Sequence, residues 1–107
     1  MILNIPLAEA NKVKDGEAFY TIKQVLKKKF RESKLTDKIL TRKDSEISFE
    51  ILSYSLFDNM HDALDSFDFK LFNVGNTKED VLKYYRNLNG TRSPKKWKTI
   101  VFKLKKF

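Results

Sequence analysis

The stretch GEAFYTIKQVL, residues 16–26, decides how this chain is read. From Phe19 to Leu26 its side chains alternate. Tyr20, Ile22 and Leu26 share one face with Gln24, while Phe19, Thr21, Lys23 and Val25 share the other. A period of two over these residues predicts a strand, and a half-exposed barrel strand would show the same pattern. Gly16 precedes it, placed to end a short helix over 7–14 in a left-handed cap. The strand runs on into Lys27, Lys28, Lys29, Phe30 and Arg31, expected as a basic tip with one exposed aromatic.

Working outward, Pro6 suits the first turn of that opening helix, after a short apolar segment at 2–5. A short strand is expected around 38–42 and a clearer one over 47–54, where Ile47, Phe49 and Ile51 alternate with Ser48, Glu50 and Leu52. Helical spacing follows. Phe57, Met60, Leu64 and Phe67 fall at i, i+3, i+7 and i+10, with Asp58, Asp62 and Asp65 on the wet side. The aromatic segment 68–74 reads as a buried loop or strand. Thr77 is a natural N-cap for a helix over 77–88 with Glu79 and Asp80 at its positive end, and Val81, Tyr84, Tyr85 and Leu88 form its apolar stripe. Asn89 and Gly90 stop that helix. A basic loop over 91–96 leads to a last strand over 97–105, with Ile100, Phe102 and Leu104 facing one way. The order β-α-β-β-β-α-α-β, with about four to six strands and three helices, indicates an α+β fold: one small mixed sheet or barrel flanked by helices.

Composition narrows the function. The 107 residues suit a single domain spanning 1–107, and 41 % hydrophobic with 13 % aromatic content is too apolar for a disordered chain. With no Cys and one His, thiol nucleophiles, disulfides and zinc or iron–sulfur sites are excluded, and no metal or cofactor is expected. His61 reads as a surface helix residue. No apolar run is long enough to span a bilayer, and the opening Met-Ile-Leu-Asn-Ile-Pro lacks the pattern of a signal peptide, so a cytoplasmic protein without membrane contact is expected.

Charge comes in three blocks: +6 over residues 1–43, −7 over 44–82 and +9 over 83–107, which together give the net +8. Such sorting creates a directional field whose positive ends attract a polyanion, nucleic acid first. The candidate contacts are Lys27, Lys28, Lys29 and Arg31, then Arg92, Lys95 and Lys96 beside Trp97, because cations interleaved with aromatics hold a strand by phosphate contact and base stacking. Solvated turns and a core Trp would look the same in sequence. Lys103, Lys105 and Lys106 read as guards of an edge strand. The acidic block reads as solvated helix faces, or as a docking surface for a protein partner.

The layout from about Leu7 onward resembles the ASCH domains of the PUA-like superfamily, small β-barrels associated with RNA and, in some members, with modified nucleosides. Their G-x-K-x-x-T-x-R signature falls on Gly16, Ala18, Thr21 and Lys23: Gly and Thr match, Lys23 stands in for Arg, and Ala18 replaces the Lys. The resemblance implies an RNA-binding barrel with Thr21 and Lys23 in a pocket after the Gly16 turn. Members that are acetylcytidine amidohydrolases use that Lys, the Thr and a Glu near the second helix. Here Ala18 supplies no ammonium group and no Glu lies between Glu50 and Glu79, so binding without catalysis is expected, ahead of a nucleoside hydrolase with a rebuilt site. A third possibility is a protein–protein adaptor of mobile-element or phage origin.

Overall fold

The computed structural model describes residues 2, 3, 5, 9, 11–28, 30, 39–42, 48–89 and 95–106, of which 2, 3, 39–42, 48 and 89 by backbone alone. Among the described residues five strands form one mixed sheet: β1 (Ile2–Leu3), β2 (Ala18–Leu26), β3 (Ile39–Arg42), β4 (Ser48–Phe57) and β5 (Trp97–Lys106). Their order across the sheet is β1-β3-β4-β5-β2. Only β1 with β3 is parallel, and the three long strands β4, β5 and β2 make its antiparallel heart. Two helices, α1 (Met60–Ser66) and α2 (Lys78–Asn89), follow β4, with a 3-10 turn at Phe69–Leu71 between them. This is a small α+β fold. Among the described residues no ladder joins β1 to β2.

The alternation expected in β2 is present and separates two cores. Phe19 packs with Phe49, Ile51, Ile100, Phe102 and Leu104 under Ile5 and Val13, so the N-terminal segment covers one face of the sheet. Ile22 and Val101 lie on the other face, beneath Met60, Ala63, Leu64, Phe72, Val81 and Tyr85 from the helical side. Edge-to-face rings line this second core, with Phe72 touching Tyr20, Phe67 and Tyr85.

Several sequence expectations need correction. Gly16 does not cap the first helix. Glu9 and Asn11 have helical backbone, but the Lys12 amide already closes on the Glu9 carbonyl, and Gly16 (φ +87°) instead occupies a turn in which Glu17 N–H donates to the Lys14 carbonyl. The positive φ suits Gly at the third position of such a turn. β4 runs on to Phe57, so Phe57 ends a strand rather than starting a helix, and α1 begins after Asn59, whose side chain caps Asp62 N–H at 2.8 Å. A register shift between Ile51 and Ser53 inserts one residue. The inward face therefore passes from Phe49 and Ile51 to Tyr54 and Leu56, and Leu52 is left exposed. β5 lies in the middle of the sheet, paired on both sides, so Lys103, Lys105 and Lys106 guard no edge. Lys103 sits over the Tyr20 ring, Lys105 lies between Ala18 and Glu50, and Lys106 donates to the Val13 carbonyl. Leu88 is 49 % exposed beside exposed Arg86 and Asn87, because core contact along α2 ends at Tyr85. Thr77 caps α2 as expected, through Asp80 N–H.

Candidate nucleic-acid interface

The two basic runs meet. Strand β2 ends at Leu26, opposite Trp97 at the start of β5, and the next residue out, Lys27, donates its amide to the Lys96 carbonyl at 2.9 Å. Lys27, Lys28, Lys95 and Lys96 are all exposed at this one end of the sheet. Lys27 and Lys96 are thus held side by side by their backbones, with Lys28 and Lys95 the next residues out on either chain. Trp97 and Leu26 are half-buried neighbours on the helical side of the sheet, next to Gln24, whose amide donates to the Thr99 hydroxyl at 3.3 Å. Lys98, on the opposite face, pairs with Asp58 at 3.3 Å. Lys29, Arg31 and Arg92 lie outside the described residues.

Thr21 and Lys23 share a face of β2, as expected, but they do not form an open pocket. Thr21 is 1 % exposed, and its hydroxyl donates to Glu9 Oε1 at 3.0 Å. Lys23 is half-buried opposite Ile100. Sequence reasoning missed Glu9. It is 4 % exposed and accepts two further hydroxyls from α2: Tyr85 on Oε1 at 2.7 Å and Tyr84 on Oε2 at 3.2 Å. Three hydroxyl donors satisfy a carboxylate that would otherwise be costly to bury. Burial, and then the nearby Glu9 charge, push both phenols well above the usual tyrosine range. The spacing of Ile5, Glu9 and Val13, each four residues apart, could have revealed it: both neighbours on that stripe are core residues.

The acidic block is partly neutralised from within. Asp65 pairs with Lys78, and that ammonium holds its carboxyl below the ordinary aspartate range. His61 is exposed, with its Nε2 3.1 Å from the Arg86 guanidinium. Among the described residues no cluster of His, Asp and Glu could hold a metal ion, and no helix is long and apolar enough to cross a membrane. No known family model, curated protein or solved structure matches the chain.

Proposed function

We propose that this chain is a PUA-like, ASCH-type nucleic-acid-binding module that takes single-stranded RNA on the lysine-rich end of β2 and β5, without catalysis. The observation that carries the reading is the backbone hydrogen bond between Lys27 and Lys96, which brings two basic runs from distant parts of the chain to one surface. The exposed lysines neutralise phosphates, and Trp97 at their border offers a ring to an unstacked base. Bases already stacked in a duplex would gain nothing from a half-buried ring, which favours the single strand. Lys29, Arg31 and Arg92 extend the same runs in sequence, and RNA rather than DNA follows from the family resemblance.

The test is titration of a short labelled RNA at several salt concentrations. Micromolar binding is expected, with a log–log slope for about three to five contacts at roughly 0.7 each. The double change Lys27→Glu and Lys28→Glu should weaken all sequences alike and flatten the slope. No binding of RNA or DNA even at low salt overturns the reading and moves the weight to a protein partner of the acidic 44–82 block.

One observation favours a second reading, a hydrolase of modified nucleosides: Glu9 stands beside the Thr21 hydroxyl, a carboxylate next to a would-be nucleophile. Against it, Thr21 is closed off from solvent, and position 18 carries Ala where the resembling enzymes use Lys. Incubation with acetylcytidine should therefore release no more cytidine than buffer does, and clear turnover would make this the better reading.

A further inference from the structure

We propose that a cleft between Lys12 and the segment 69–76 is a second, independent binding site, for a small organic phosphate. The cleft measures about 830 Å³, a volume suited to a molecule of that class. Two ammonium groups line it from separate parts of the fold: Lys12, one turn beyond the buried Glu9, and Lys70 on the 3-10 turn. Lys12 Nζ donates to the Asn73 carbonyl at 2.7 Å, which fixes the cation across the cleft. That bond uses one of its three N–H donors, so two can turn toward an anion.

The walls supply the rest of the chemistry. Phe69 offers an apolar side, and the Asn73 and Asn76 side chains can both donate to and accept from the organic part. Gly75 lies so close to α2 that an added Cβ would stand 2.6 Å from Asp80 Cβ, so this wall rests directly on the helix. The neighbouring carboxylates are turned to the backbone: Asp68 accepts from Lys70 N–H at 3.0 Å, and Asp80 from Asn76 N–H at 3.3 Å. A phosphate dianion would accept charge-assisted hydrogen bonds from both lysines, which a neutral ligand would not.

The cleft lies at the Tyr20 end of β2, since Tyr20 contacts Phe72 in its lining. The lysine tip lies beyond Leu26, six residues and about 20 Å along the strand. The two sites can therefore be tested apart.

The experiment is calorimetric titration of the full chain with AMP, phenyl phosphate and inorganic phosphate. Saturable binding of AMP or phenyl phosphate is expected, tighter than inorganic phosphate, and about tenfold weaker in Lys70→Glu. Lys12→Met should weaken it too, with the melting temperature of each variant confirming that it is folded. The Lys27→Glu, Lys28→Glu double variant should bind these small molecules as the parent does. Absence of saturable binding to the folded parent overturns the proposal. So does binding that survives both cleft substitutions or is lost in the tip variant. Either failure leaves the RNA reading standing, because that reading depends on the tip alone.

Discussion

Glu9 is the residue on which most depends. A carboxylate shielded from water is tolerated where hydrogen bonds replace its hydration, and here one threonine and two tyrosines do so. Glu9→Gln should cost about 1–3 kcal/mol in denaturant unfolding, because an amide nitrogen would face hydroxyls that now donate. Thr21→Val should cost a similar amount, since it removes one donor from a buried acceptor. If either variant unfolds like the parent, the cluster contributes no stability. The tyrosines add a pH effect of definite sign. Their folded values are raised, so their contribution is complete below the unfolded value near 10 and is lost as pH rises beyond it. Stability should fall above about pH 10, and less steeply in Tyr85→Phe than in the parent, as read from melting temperatures between pH 9 and 11. In the sequence, Thr21 was legible as a special position but its partner was not. Glu9 and Tyr85 are 76 positions apart, and no local pattern announces a contact made only by packing.

At the scale of elements, α2 separates what periodicity shows from what only packing decides. Val81, Tyr84, Tyr85 and Leu88 have the spacing of one stripe, yet Tyr85 is 1 % exposed and Leu88 lies past the end of the core. Tyr85→Ala should therefore destabilise by about 3–5 kcal/mol, and Leu88→Ala by no more than about 0.5 kcal/mol. Equal effects in thermal or denaturant unfolding would mean that α2 sits differently on the sheet. Strands β2 and β5 were readable because each keeps one alternation from end to end. β4 was only half readable, since the extra residue near Leu52 switches its faces and the strand then continues to Phe57. A bulge is set by the neighbouring strand's register, which the local sequence does not contain.

Across the whole molecule, the three charge blocks become a spatial arrangement. The two basic blocks meet as the adjacent strands β2 and β5, and much of the acidic block forms α1, the 3-10 turn and the start of α2 above the sheet's helical face. The blocks were visible in sequence, but their convergence was not, because it depends on antiparallel pairing between distant segments. A uniform basic coat would show a salt response insensitive to which lysines are changed. Here, replacing Lys95 and Lys96 by Glu should weaken RNA as strongly as replacing Lys27 and Lys28, whereas Lys83→Glu on exposed α2 should have little effect. Equal losses at all three places, measured by anisotropy at fixed salt, would remove the case for a localised interface.

The central position of β5 also governs how the chain reaches this state. Ala18 must find Lys105 and Leu26 must find Trp97, while β4 waits for the same strand. Among the described residues β2 has no ladder partner until β5 has been synthesised, whereas β4 already has β3, and each closure onto β5 encloses a long loop. Folding should therefore be slow for a domain of this size, in milliseconds to seconds rather than microseconds, as expected of topologies dominated by distant pairings. A nascent chain stopped before Trp97 should remain protease-sensitive, and addition of residues 97–106 should confer resistance in a single step.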